Sequence, residues 1–84
     1  MNWQVYIVEA DDGSWYTGIT TDVARRFDEH RTGRTGAKYF RGRQPVAVVW
    51  QESGHDRSSA SRREAEIKKM SRQQKAQLVA MNHE

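Results

Sequence analysis

The stretch VYIVEADDGSWYTG, Val5 to Gly18, decides the fold. Its two arms, WQVYIVE and SWYTGIT, are rich in β-branched and aromatic residues and are separated by ADDG, the pattern of a β-hairpin. Packing alone would accept Val or Ile at Tyr6 and Tyr16, and almost any residue in place of Gly18. Opposed residues in a hairpin share a face, and side chains alternate along each strand. A two-residue Asp12-Gly13 turn would oppose Glu9 to Tyr16 and put the tyrosines on opposite faces. A three-residue loop, Asp11-Asp12-Gly13 with Gly13 left-handed, would oppose Val8 to Tyr16 and Tyr6 to Gly18, so that both rings share one face. The residues permit either loop. Two strand tyrosines are ordinarily half-buried packing residues. Gly18 points further, because glycine inside a strand often marks the close approach of a ligand or another backbone.

Working outward, TTDVARRFDEHRTG opens on capping residues and stops at a glycine, with Val23, Phe27 and His30 on one side of a short amphipathic helix. RTGRTGAKYFRGRQP is a basic loop ending at the only proline. VAVVWQE is nearly all apolar, which predicts a central, well-covered strand. DRSSASRREAEIKKM starts at an Asp/Ser cap and reads as a helix, and SRQQKAQLVAMN follows as another with Ser71 as its cap. The order β-β-α-β-α-α predicts an α+β fold, a small three-stranded antiparallel sheet with helices packed on it. No repeat, low-complexity segment or linker interrupts it, so residues 1–84 read as a single domain.

At this length about 60–65% of the unfolded surface can be buried, enough for one modest core. The chain has no cysteine, which excludes disulfide staples, zinc ribbons and thiol chemistry. It shows neither a signal peptide nor an apolar run long enough for a bilayer, so a cytoplasmic protein with no membrane partner is the default. The net charge of +3 is unevenly spread. Residues 1–20 carry three acidic groups and no Lys or Arg, whereas residues 21–45 carry seven basic groups against three acidic. A basic segment of this kind suits a polyanion such as DNA, though it also suits a merely solvated surface.

At about 100° per residue, Phe27 and His30 lie close to Val23 around the helix, Arg26 sits beside His30 at the edge of the apolar stripe, and Arg25 faces away. Arg26 is therefore the arginine aimed at the sheet. On the later helix, Glu64 and Glu66 flank the apolar stripe about equally, and the wheel does not choose between them. Either could simply form an i,i+4 pair, as Glu64 would with Lys68.

The ordered set VYI, then YTG ten residues after Tyr6, then TTDVARRFDEH, resembles the GIY-YIG nuclease family, with QVY standing for GIY and YTG for YIG. The likeness spans nearly the whole chain and is closest to the family's small stand-alone bacterial members, the YhbQ-like group. It implies a metal-dependent endonuclease acting on DNA phosphodiester bonds. Tyr6 and Tyr16 are then the two motif tyrosines, and Arg26, ten residues past Tyr16, is the family's arginine. ASRREAEIKK matches the family's helix at Glu64, which would be the ligand for Mg²⁺ (or Mn²⁺). His30 falls where some relatives place a second proton-handling group, so it joins the expected catalytic set. Some relatives also carry a late active-site asparagine; Asn82 is the only Asn after Glu64, and the role is not carried to it. Gly18, with Lys38, Tyr39, Arg41 and Arg43 of the basic loop, is the expected nucleic-acid contact. His55 and His83 read as surface residues. One small domain has little surface for reading sequence, so recognition of DNA shape, or a partner protein, is the expected source of specificity. The rival expectation is a module that grips branched or single-stranded DNA without cutting efficiently. A third is a structural or interaction domain that keeps the fold alone.

Overall fold

The computed structural model describes residues 2–33 and 36–81. Its elements are β1 (Trp3–Ala10), β2 (Trp15–Thr20), α1 (Val23–Thr32), a short 3-10 turn (Lys38–Phe40), β3 (Pro45–His55), α2 (Arg57–Lys68) and α3 (Arg72–Met81). The predicted order stands, and the sheet is antiparallel throughout, with spatial order β2-β1-β3.

The hairpin takes the three-residue loop. Ala10 N–H donates to the Ser14 carbonyl at 2.8 Å, and Gly13 occupies the left-handed region at φ 83°. Asp12 accepts from the backbone and hydroxyl of Ser14 and from Arg43 Nε, and these bonds hold its carboxyl well below the usual range. The register follows: Tyr6 faces Gly18 and Val8 faces Tyr16.

β3, expected at the centre, is an edge strand, and β1 is the central one. Every residue from Val5 to Val8 is buried, whereas Val46 is 57% exposed. Two features of β3 explain its place. Pro45 has no N–H to give a second neighbour, and Gly54 with the polar residues from Gln51 onward suits a strand with one open side. An extra residue at Val49 shifts the register, because Ile7 pairs with Trp50 while Val8 pairs with Val48.

The two sheet faces are covered differently. Val5 and Ile7 pack with Trp50, Ala60 and Ile67 under α2 and α3. Tyr6 and Val8 pack with Val23 and Phe40 under α1 and the basic loop. Burying Ile67 completely contributes about 1.5–3 kcal/mol and anchors α2. The caps set the helix ends. Asp22 accepts from Arg25 N–H at 3.0 Å, and Asp56 and Ser59 form a reciprocal capping box. Arg72 stacks 3.9 Å over the Trp15 ring and donates to the Gly13 carbonyl, docking α3 on the hairpin.

His55 corrects the sequence reading. It is half-buried, with Nε2 2.7 Å from a Glu52 oxygen and Nδ1 2.9 Å from Ser59 Oγ. Arg63 Nε also reaches Glu52, at 3.1 Å. Burial pushes the Glu52 carboxyl up, but His55 and Arg63 outweigh it and hold the group below its ordinary value. The network ties the end of β3 to α2. Among the described residues no helix is long and apolar enough to cross a membrane.

Candidate active site

Tyr6 projects from the central strand onto the face covered by α1, and its phenol passes over the position opposite it. That position is Gly18. A Cβ there would lie 2.6 Å from Tyr6 Oη, 2.8 Å from its Cζ and 3.0 Å from Tyr16 Cε2. The expectation that Gly18 touches nucleic acid is thereby corrected: Gly18 is buried, and the room that it leaves is filled by the Tyr6 phenol. Tyr16, on the same face, stands with its ring centroid 6.3 Å from that of Tyr6.

α1 supplies the next two groups. Arg26, 28% exposed at its side chain, donates to a Glu29 carboxylate oxygen at 2.8 Å and lies near enough for its charge to act on the Tyr6 hydroxyl. Arg25 faces solvent, as the helix wheel predicts. His30 sits one turn on and is only 1% exposed. Its Nε2 is 2.9 Å from Tyr6 Oη, and its Nδ1 accepts from the Ala37 amide at 3.1 Å. Tyr6 is as enclosed, also 1% exposed, so burial does not set the two rings apart, and what the geometry shows is their direct contact.

α2 brings Glu64 to the same neighbourhood. Its carboxylate is 23% exposed and 3.3 Å from Lys68 Nζ, which itself lies 5.8 Å above the Tyr16 ring. Glu66 is turned outward, 63% exposed and bonded to Arg63. Of two glutamates that the wheel left equal, Glu64 lies on the side of the tyrosines and Glu66 faces outward, and the i,i+4 pair with Lys68 exists as well. Burial raises the Tyr6 pKa first; Tyr16 adds to the rise, Arg26 opposes it, and the Glu64 charge adds a smaller push up. Tyr6 is therefore a neutral phenol at pH 7.

The chemistry of the donors decides which metal suits the site. Among the described residues no three His, Cys, Asp or Glu side chains are grouped to hold a metal ion. Glu64 offers one half-buried, hard carboxylate. Mg²⁺ accepts that arrangement when substrate phosphate oxygens and water complete its shell. The residues fit an ion shared with substrate and do not fit a preformed protein cage.

The basic loop divides in two. Tyr39 hydrogen-bonds Ser14 Oγ and packs on Tyr16, while Arg43 lies 4.4 Å over the Tyr39 ring and pairs with Asp12 at 2.9 Å. These two brace the hairpin, with the Arg43 side chain still 40% exposed. Lys38 and Arg41 are the exposed cations. Asn82 and His83 lie outside the described residues. Sequence reasoning missed Gly36 and Ala37, which hold His30 from behind. Nothing in the local pattern TGRTGA marks either one.

Burial first, and the Arg26 charge second, push the His30 pKa down to about 4, against the upward pull of Glu29. In the unfolded chain a histidine titrates near 6.5. Between those values the unfolded state takes up a proton that the native state refuses, so the stabilisation is complete above pH 6.5 and drains as pH falls toward 4. At about 1.4 kcal/mol per unit, the loss is on the order of 3 kcal/mol. Urea denaturation at pH 7 and pH 4.5 is expected to show it, with His30→Gln losing markedly less over the same step. Equal losses would mean that other groups carry the acid sensitivity.

Comparison with known proteins adds a separate line. Residues 2–77 match the family model described as the GIY-YIG catalytic domain. The UPF0213 protein DP2720 of Desulfotalea psychrophila is 52% identical over 77 residues, covering 92% of this chain and 70% of its own. The UPF0213 protein VNG_2274C of Halobacterium salinarum is 54% identical over 74 residues, covering 88% and 95%. Among solved structures, the UPF0213 protein BH0048 from Bacillus halodurans superposes with a TM-score of 0.62 at 50% identity, over 98% of this chain and 86% of that one. The protein EF2693 from E. faecalis gives 0.65 at 36% identity, over 100% and 92%.

Proposed function

This chain belongs to the GIY-YIG catalytic-domain family, and on that premise we propose that it is a metal-dependent endonuclease hydrolysing DNA phosphodiester bonds. What supports the reading is one constellation: the Tyr6 hydroxyl with the Arg26 guanidinium and the Glu64 carboxylate near enough for their charges to act on it, and the Tyr16 ring beside it.

The chain's own residues divide the work as follows. Glu64 is the residue to hold Mg²⁺ or Mn²⁺, releasing Lys68 to do so. Such an ion, when bound, supplies Lewis-acid polarisation of the phosphate and stabilises the leaving oxygen. Tyr6 orients the attacking water through its hydroxyl, with Tyr16 beside it. A phenol with a raised pKa is a poor base, so negative charge on its oxygen needs the guanidinium of Arg26. Arg26 also neutralises charge growing on the phosphorus oxygens, which its planar fork can meet two at a time. Lys38 and Arg41 draw in the flanking backbone. So small a surface favours recognition of DNA shape, as at a flap or junction in repair or recombination, or the help of a partner protein.

Incubation with labelled duplex, flap and four-way-junction DNA in Mg²⁺, Mn²⁺ or EDTA tests this reading. Product with either ion and none in EDTA is expected. Arg26→Ala should slow cleavage by about 10²- to 10³-fold, with Arg26→Lys between it and wild type. Unchanged cutting by Arg26→Ala would remove Arg26 from the site. One observation favours a second reading, a binding module: a single carboxylate, already paired with Lys68, is a sparse metal site. Binding that weakens steeply with salt, with no product in any metal, would select that reading.

A further inference from the structure

Gly36 lies where a side chain has no room. A Cβ there would be 2.8 Å from His30 Cα and 2.9 Å from the Glu29 carbonyl oxygen, both backbone atoms near the end of α1. Helix backbone in a packed structure yields far less readily than a flexible side chain. This close approach delivers the next amide, Ala37 N–H, to His30 Nδ1 at 3.1 Å.

The chain of donors then has one direction. A backbone N–H can only donate, so Nδ1 accepts and carries no proton. A neutral imidazole keeps one proton, which must be on Nε2, 2.9 Å from Tyr6 Oη. The Tyr6 oxygen therefore accepts from His30. With His30 as the donor, the hydroxyl proton of Tyr6 points away from the imidazole.

We propose that Gly36 and the Ala37 amide are positioning elements of the active site: they fix His30 as the Nε2–H tautomer, which makes His30 a donor to Tyr6 and turns the Tyr6 hydroxyl proton away from the imidazole. The proposal rests on the nuclease reading for its consequence and on geometry alone for its content. His30 is then no base for Tyr6, because the nitrogen facing the phenol already holds a proton. It joins Arg26 in steadying negative charge on the phenolic oxygen. Gly36 is not replaceable even by alanine, although it touches neither tyrosine nor substrate.

The tautomer is measured directly by long-range ¹H–¹⁵N spectra of the histidine rings in the full chain at pH 7, without DNA. A bare Nδ1 and protonated Nε2 are expected for His30. The opposite tautomer, or a doubly protonated ring, would overturn the proposal. Gly36→Ala should release the Ala37 amide, giving a mixture of tautomers and amide exchange faster by about tenfold or more. An unchanged ring and unchanged exchange in a folded Gly36→Ala protein would also overturn it. If that variant does not fold, the wild-type tautomer and a pair at position 30 still decide. His30→Gln retains an N–H donor near Nε2 and cannot take a proton. It should keep cleavage within about tenfold of wild type, while His30→Leu loses about 10²-fold or more; equal losses count against the donor role. Absence of cleavage by the wild type would end the nuclease reading and leave the tautomer result standing.

Discussion

Glu64→Gln is expected to reduce metal-dependent cleavage by about 10³-fold or more, which corresponds to roughly 4 kcal/mol of lost transition-state stabilisation. The fold should hardly notice. Gln keeps the shape of the side chain, and what is lost is one partly exposed i,i+4 pair with Lys68 at 3.3 Å. Such pairs contribute about 0.3–0.5 kcal/mol. In a domain of this size that shifts the melting midpoint by no more than about 4 °C. DNA binding in EDTA should be equal or tighter, since a negative charge beside the phosphate is gone. The combination of intact fold, retained binding and lost cutting belongs to a metal ligand and to no merely structural glutamate. Glu66→Gln is the matched control: that carboxylate faces outward onto Arg63, and its loss should leave the rate within about twofold of wild type. Equal rates for Glu64→Gln and wild type, or a larger loss at Glu66, would overturn the assignment.

The contrast between these two glutamates shows where sequence reading reached its limit. Strong local signals carried through to the structure: the hairpin, the Asp22 and Asp56 caps, the glycine ending α1, and Arg26 on the inner side of its helix. All depend on chemistry within a few residues along the chain. Glu64 and Glu66 lie nearly symmetrically about the apolar stripe of α2, so only the placement of that helix against the hairpin separates them. The edge position of β3 was hidden for a related reason. An apolar run reports burial, and β1 has an equally apolar run whose pairing on both sides depends on the whole sheet. Tyr39 and Arg43 resembled a strand-gripping surface because alternating base and aromatic is also how a loop stacks on itself. Gly36 gave no signal at all, since its constraint is a distance to α1 rather than a turn.

Gly18→Ala is expected to cost about 10²-fold or more in cleavage with little loss of stability, a ratio unusual for a buried strand position. The added methyl meets Tyr6 Oη at 2.6 Å, and the phenol must move. A displacement of about 1 Å at a positioned group can cost on the order of 10²-fold in rate. The same shift disturbs the 2.9 Å contact with His30 Nε2 and the placing of the phenol near the Arg26 charge. Stability responds to two opposed effects. Alanine is preferred over glycine inside a strand by about 0.5–1 kcal/mol, while overpacking costs about 1–3 kcal/mol. The net destabilisation is therefore expected between about 0 and 2.5 kcal/mol, readable by urea denaturation. Tyr6→Phe identifies the source, because it deletes the oxygen at 2.6 Å and leaves Cζ at 2.8 Å. In that background Gly18→Ala should destabilise less than in wild type, giving a coupling of about 0.5 kcal/mol or more between the two positions. Additive costs would place the collision elsewhere, and full activity in Gly18→Ala would mean that the reacting groups do not depend on where the Tyr6 hydroxyl sits.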